Sequence, residues 1–228
     1  MPTLNKAYLI LSYLLPLILY SYFRSSCTWR VRIVMNLKGL DYEYSAVNLI
    51  KDGGQQRTDD YSAVNPMQQV PALMVNGEVL TQSVAIMEYL EEKYPENPIL
   101  PKDLISRAKV RQIAETIAGG IQPLQNLVVL QKIGDENKAE WAKFWIDKGF
   151  VALESMLEKT AGKYCYGDSV TMADVCLVPQ VGNANRFNVD MSKFPIISRV
   201  NEELEKLEAF QKAHPFVQPD CPENLRGK

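Results

Sequence analysis

The sequence predicts an α/β domain followed by an all-α domain, and three observations support this. Short runs rich in branched and aromatic residues alternate with helical patterns only before residue 94. A segment that contains Pro95, Pro98 and Pro101 then interrupts the pattern, as is typical of a linker. After this segment the apolar residues recur at helical spacing, and no strand pattern returns.

A β-α-β unit is predicted at the start of the first domain. Residues 17–23 form a short aromatic and branched run, which is typical of a buried strand. Apolar residues at helical spacing predict a helix over 27–38, and Gly39 provides a stop at its end. A second strand is predicted over 42–49, followed by a polar stretch over 51–60.

A hairpin and a helix complete this domain. The dipeptide Asn76-Gly77 joins two short apolar runs, at 72–75 and 78–80, and this pattern strongly favours a β-hairpin. A helix is predicted over 83–93. The order β-α-β followed by β-β-α is that of a thioredoxin-like domain.

The second domain is predicted to consist of helices over 104–133, 138–160 and 197–213, with another that starts at Thr171. Thr171 and Asp174 have the spacing of a capping box in front of an apolar run. We therefore divide the chain into an extension, a thioredoxin-like domain and an all-helical domain, with the bounds 1–15, 16–97 and 98–228.

The composition excludes several classes of function. The net charge of −2 and the lack of long basic runs argue against a nucleic-acid partner. The four cysteines have neither metal-ligand nor disulfide-scaffold spacing, so we expect no metal and a reducing, cytoplasmic compartment. A single histidine nearly excludes chemistry that needs several imidazoles.

The N-terminus carries an uncharged, largely apolar run over 7–23. This run is shorter than the roughly 20 residues that a spanning helix needs, and it contains Pro16. We therefore expect no membrane association. Residues 1–15 are interpreted as an extension of unknown role, either a short helix or a tail.

The turn Ser25-Ser26-Cys27-Thr28 lies between the first strand and the first helix. A helix N-terminus presents unpaired N–H groups and a partial positive charge, which favour an anion such as a thiolate. A hydroxyl at this place can donate a hydrogen bond to that thiolate. The alternative is that the hydroxyls are ordinary helix caps. Cys27 is a candidate nucleophile or a structural thiol, and the sequence leaves both open.

Two further places are candidates for ligand binding. A cis Val70-Pro71 bond would turn the Val70 backbone toward a peptide-like ligand, and the alternative is a strand-entry proline. Gln82-Ser83 opens the next helix, whose N-terminus suits a carboxylate. A plain cap at Ser83 is the competing interpretation.

Several separated motifs in the same order resemble the zeta-class glutathione transferases, the maleylacetoacetate isomerases. The likeness extends from about residue 17 to the C-terminus. The motifs are SSCTWRVR at 25–32, NLIKDGGQQ at 48–56, NPMQQVP at 65–71, QS at 82–83, IAGGIQPLQNL at 117–127, VTMAD at 170–174 and LVPQV at 177–181.

This resemblance implies a thioredoxin-like domain, a helical glutathione-transferase domain, a homodimer, and glutathione as the cofactor. Ser25 would promote the glutathione thiolate, and Ser26 and Cys27 would flank it, so these three are the predicted catalytic residues. Val128 departs from the small hydroxyl residue common in the family, which puts one polar contact in doubt. The predicted glutathione contacts are Ser25, Ser26, Cys27, Thr28, Trp29, Arg30, Gln56, Val70, Gln82, Ser83, Gln122, Asn126, Leu127 and Val128.

The resemblance also implies a reaction, the isomerisation of maleylacetoacetate to fumarylacetoacetate in tyrosine and phenylalanine breakdown. The thiolate adds to the C=C bond, the resulting single bond rotates, and elimination restores glutathione. Arg186 would hold a substrate carboxylate and Arg24 would add positive charge, unless either is a solvated surface charge. The alternatives are a general transferase acting on α-haloacids and a non-catalytic interaction module.

Overall fold

The structure is a computed structural model that describes residues 16–227, so the predicted extension 1–15 lies outside the described residues. The chain forms two compact units. The first unit is made of two segments, one up to Leu90 and one from Ala213 onward. The second unit comprises Glu91–Lys212. The sequence placed the C-terminal segment with the helical domain, whereas its contacts group it with the first unit. The domain bounds 16–97 and 98–228 stay a prediction.

The first unit contains a four-stranded sheet in the order β2-β1-β3-β4. Its strands are β1 (Leu17–Ser21), β2 (Tyr42–Ala46), β3 (Ala72–Val75) and β4 (Glu78–Thr81). Strand β1 runs parallel to β2 and antiparallel to β3, and β3 and β4 form the hairpin. The predicted hairpin is confirmed, because Asn76 and Gly77 both adopt the positive φ that a tight hairpin turn needs.

Three helices accompany this sheet: α1 (Ser26–Leu37), α2 (Asp59–Val64) and α3 (Ser83–Lys93). Helices α1 and α3 were predicted, which confirms the thioredoxin-like order of elements. Helix α2 was not predicted. It begins after Thr58, whose side chain accepts a hydrogen bond from the Tyr61 N–H at 3.3 Å, and the Tyr61 side chain is buried.

The second half of the chain is helical, as predicted. Its helices are α4 (Leu104–Glu115), α5 (Leu127–Ile133), α6 (Lys138–Leu157), α7 (Met172–Arg186), α8 (Pro195–Glu205) and α9 (Glu208–Ala213). The capping box is confirmed, because the Asp174 carboxylate accepts a hydrogen bond from the Thr171 N–H at 2.7 Å at the start of α7.

The single long helix predicted over 104–133 is wrong. A π-helical turn (Thr116–Ile121) and a 3₁₀ turn (Gln122–Gln125) separate α4 from α5. The two adjacent glycines of the π turn and Pro123, which has no N–H to donate, account for the interruption. The helix predicted over 197–213 is likewise divided into α8 and α9.

Two general findings concern membranes and metals. Between residues 16 and 227, none of the helices combines the length and apolar character needed to cross a membrane. Across the same residues, no three His, Cys, Asp or Glu side chains are grouped so that they could hold a metal ion.

Candidate functional site

Ser25 occupies the position between β1 and α1 that the sequence singled out. Its N–H donates to the Tyr22 carbonyl at 2.9 Å, and its Oγ accepts from the Thr28 N–H at 3.2 Å. Ser25 is therefore the N-cap of α1. A hydroxyl has one donor and two acceptor sites, so capping leaves its hydrogen available. The capping and thiolate-binding interpretations of Ser25 are thus compatible.

The first turn of α1 keeps its partial positive charge. The turn has no acidic residue, and the Ser26 and Thr28 side chains are buried while Cys27 is partly exposed. An acidic side chain in the first turn is the usual group that offsets this charge. Its absence from this turn leaves the helix end able to stabilise an anion from outside the chain.

Arg30 adds a full positive charge beside the same turn. Its Nη1 donates to Ser83 Oγ at 3.2 Å and lies 4.0 Å from Cys27 Sγ. The side chain is only 1% exposed, yet its Nε and Nη2 have no hydrogen-bond partner. A buried charge with unused donors is costly unless an anion compensates it. Arg30 therefore indicates an anion site between the Ser25 turn and Ser83.

The remaining candidates of the first unit lie at the start of α3, just before β3 and in a 3₁₀ turn (Gln55–Arg57). Ser83 is buried at the first residue of α3, and Gln82 before it is exposed with φ 68°. The Val70-Pro71 bond is cis. Gln56 is buried, and its Nε2 donates to the Leu49 carbonyl at 3.3 Å while its Oε1 has no partner. That oxygen is an acceptor available to a ligand.

Four candidates belong to the second unit. Gln122 is buried in the 3₁₀ turn, and Asn126 caps α5 by accepting from the Val128 N–H at 3.3 Å. Leu127 is half-buried, whereas the Val128 side chain is 54% exposed. Their contacts with glutathione stay predictions.

The two arginines predicted to bind substrate each lie against a neighbouring ring. The Arg186 guanidinium, at the end of α7, is 5.1 Å from the centre of the Phe187 ring. The Arg24 guanidinium is 5.7 Å from the Phe23 ring centre. Both arrangements are cation–π contacts, and the substrate roles of these residues stay predictions.

Sequence reasoning did not single out Arg32 and Asp220, which contact the backbone just before the turn. Arg32 Nη2 donates to the Phe23 carbonyl at 3.0 Å, and Asp220 Oδ2 accepts from the Phe23 N–H at 2.9 Å. Burial lowers the pKa of Arg32, although Tyr44 and other neighbours oppose that change. The sequence signal for Arg32 is an arginine in the apolar pattern of α1.

The family descriptions that match the chain define its class. Residues 19–98 match the glutathione S-transferase N-terminal domain, and residues 125–217 match the glutathione S-transferase C-terminal domain. These matches agree with the thioredoxin-like and helical parts of the fold. The protein is therefore of the glutathione S-transferase class.

Similarity to individual relatives identifies the subclass of glutathione S-transferase. Mouse maleylacetoacetate isomerase is 61% identical over 209 residues, which cover 92% of this chain and 97% of the relative. Maleylacetoacetate isomerase of Anaeromyxobacter dehalogenans, with dicarboxyethyl glutathione and citrate bound in its active site, is 44% identical with a TM-score of 0.81, covering 91% and 98% of the two chains. A maleyl pyruvate isomerase described as a bacterial zeta-class enzyme is 41% identical with a TM-score of 0.86, covering 90% and 100%. The chain belongs to the zeta class of glutathione S-transferases.

Proposed function

We propose that the protein catalyses the glutathione-dependent cis–trans isomerisation of maleylacetoacetate to fumarylacetoacetate. The observation that carries this proposal is the buried Arg30 guanidinium with two unused donors beside the Ser25 turn. The molecule bound to the Anaeromyxobacter relative supports it. A dicarboxyethyl group on sulfur is what results when a thiol adds across the C=C bond of an unsaturated diacid, and this is the chemistry of the proposed first step.

The residues of the first unit fit glutathione chemically. The carboxylate of its γ-glutamyl end suits Ser83 and the N-terminus of α3, with the Arg30 charge close by. The Gln56 Oε1 acceptor suits an N–H of the tripeptide, and the Val70 backbone suits its peptide groups. Together these groups supply both the positive charge and the hydrogen-bond partners that a small anionic peptide requires.

Bound glutathione supplies the sulfur nucleophile that adds to the substrate and later leaves it. The chain's part is to keep that sulfur ionised near neutral pH. The Ser25 hydroxyl donates a hydrogen bond, and the N-terminus of α1 and Arg30 add positive charge. Ser26 and Cys27 flank the sulfur. Arg186 and Arg24 counter the two carboxylates of the substrate.

The direct test is isomerisation of maleylacetone by the purified full chain, with and without glutathione. We expect the trans product only when both enzyme and glutathione are present. A parallel assay with an α-haloacid tests the general-transferase alternative. Turnover of the haloacid alone would favour that alternative, and glutathione binding without turnover of either compound would favour the non-catalytic module.

Replacing Arg30 by methionine is expected to weaken glutathione binding about fivefold, or about 1 kcal/mol. Methionine keeps much of the length and removes the charge that the ligand compensates. Because an unpaired buried charge is also removed, the ligand-free protein should be no less stable. Titration calorimetry measures the affinity and thermal unfolding measures the stability, with the exposed Arg199→Met as the control. Unchanged affinity would remove Arg30 from the ligand site.

Arg186→Ala is expected to raise the Michaelis constant for maleylacetone about fivefold, with a smaller change in kcat. The reason is the loss of one charge-assisted contact to a substrate carboxylate. Steady-state kinetics at saturating glutathione measure this, and the exposed Arg199→Ala is the control. An unaltered Michaelis constant would speak against the assignment.

The setting of the reaction is also part of the proposal. We infer that the protein is a cytoplasmic homodimer that acts in tyrosine and phenylalanine breakdown. None of the four cysteines forms a disulfide, which agrees with a reducing compartment. Light scattering of the purified protein tests the dimer.

A further inference from the structure

We propose that the C-terminal segment, residues 213–226, holds the Ser25 turn in position, and that Arg32 and Asp220 are positioning residues for the proposed reaction. The kinetic part of this inference rests on the proposed function. The structural part does not, since all the contacts that carry it lie within the first compact unit.

Asp220 joins the C-terminal segment to the backbone before the turn. Its Oδ2 accepts from the Phe23 N–H at 2.9 Å, across a sequence separation of 197 residues. Its Oδ1 accepts from the Tyr44 hydroxyl at 2.6 Å. Hydrogen bonds to a carboxylate are stronger than neutral ones, so this residue fixes the chain two positions before Ser25.

Arg32 makes a second connection from the helix that Ser25 caps. It is fully buried, and its Nε donates to the Ala213 carbonyl at 3.1 Å. Its Nη2 donates to the Phe23 carbonyl at 3.0 Å, and its Nη1 donates to the Tyr22 carbonyl at 3.4 Å. The Ser25 N–H donates to that same Tyr22 carbonyl. One guanidinium therefore links the start of the C-terminal segment to the turn.

Apolar packing completes the arrangement. Cys221 is buried in a cluster with Tyr22, Phe23 and Val70, and Phe216 and Leu225 pack against that cluster. The C-terminal segment thus packs in the same cluster as the residues before the Ser25 turn and the residue before Pro71. These two places are the ones proposed to bind the sulfur and the peptide of glutathione.

These contacts imply that the rate of the proposed reaction depends on the Asp220 carboxylate, which is distant in sequence from Ser25. Without Asp220, the Phe23 N–H loses its partner and the Tyr22–Phe23 backbone gains freedom. The Ser25 hydroxyl is then held less precisely, and small displacements of groups that act on a reacting atom are costly in rate. The expected loss is in kcat rather than in the Michaelis constant for maleylacetone.

The test compares Asp220→Ala with wild type. We expect kcat to fall about fivefold, which is about 1 kcal/mol in the barrier. The rise of kcat/KM with pH should move to higher pH, because a misplaced hydroxyl stabilises the thiolate less. Asp220→Asn keeps an acceptor for the Phe23 N–H and should restore most of the rate. The control is Asp190→Ala, which removes another aspartate bonded to a backbone N–H, that of Ser192 in the second unit.

Hydrogen exchange makes the outcome independent of the proposed function. The Phe23 and Ser25 amides should exchange faster in Asp220→Ala and not in the control. If wild type lacks isomerase activity but these amides respond, the proposed function fails and the positioning role stands. Unchanged exchange, or an unchanged kcat and pH profile in an active enzyme, overturns the inference. Should Asp220→Ala not fold, Tyr44→Phe, which removes one donor to Asp220, is judged by the same two measurements.

Discussion

Ser25→Ala is expected to lower the turnover of maleylacetone at least tenfold, about 1.4 kcal/mol in the barrier, while glutathione binding stays roughly intact. The hydroxyl already accepts from the Thr28 N–H, and its remaining hydrogen is the donor for the thiolate. Removing the hydroxyl raises the free energy of the glutathione thiolate. Arg30, Gln56 and Ser83, which are proposed to bind the rest of glutathione, stay in place. Steady-state kinetics and titration calorimetry with glutathione measure the two quantities.

The same substitution also removes a helix cap, which costs about 1 kcal/mol of stability, so a matched control is needed. Thr58→Ala removes a comparable hydroxyl cap from α2, where the side chain accepts from the Tyr61 N–H. That variant should lose stability and keep its turnover per folded molecule. Ser25→Thr, which keeps the hydroxyl, should retain part of the activity. If Ser25→Ala turns over like wild type, Ser25 has no part in the mechanism.

Local patterns were sufficient where local interactions determine the structure. The Asn76-Gly77 turn predicted the hairpin because both residues tolerate positive φ. The serine before α1 predicted the start of that helix because it can cap it. The position of Ser25 at a helix N-terminus could therefore be derived from the sequence, and the resemblance added the chemistry.

Contacts between distant residues could not be predicted in this way. Asp220 and Phe23 are 197 positions apart, and no periodicity relates them. The long helical pattern over 104–133 concealed a π turn, since two glycines and a proline weaken a helix without fixing where it breaks. The burial of Arg30 with unused donors depends on how α1 and the Ser83 helix pack, which spacing alone does not reveal.

Asp174→Ala is expected to destabilise the protein by about 3 kcal/mol or more, because a buried, multiply bonded carboxylate is lost. Asp174 is fully buried at the start of α7. One oxygen accepts from the Cys165 N–H at 2.8 Å, and the other accepts from the Thr171 N–H at 2.7 Å and the Thr171 hydroxyl at 2.8 Å. Alanine leaves buried donors without partners. Denaturant unfolding of the purified variant measures the loss.

The pH dependence of that loss distinguishes Asp174 from an exposed cap. Burial raises the pKa of Asp174 despite its hydrogen bonds, so the folded protein binds this proton more readily than the unfolded chain. Wild type therefore gains stability relative to Asp174→Ala as pH falls from the raised folded pKa toward the unfolded pKa, and the difference between their free energies of unfolding widens over that range.

Asp103 caps α4 at the surface, and its bond to Ser106 lowers its pKa. The stabilising effect of Asp103 is complete above the unfolded pKa and is lost as pH falls through the lowered one. The difference in free energy of unfolding between wild type and Asp103→Ala should therefore shrink in acid. This is the opposite of the change expected for Asp174→Ala. The contrary result is a stability difference between wild type and Asp174→Ala that shrinks in acid, as it should for Asp103→Ala. That result would mean that hydrogen bonding, rather than burial, dominates the ionisation of Asp174.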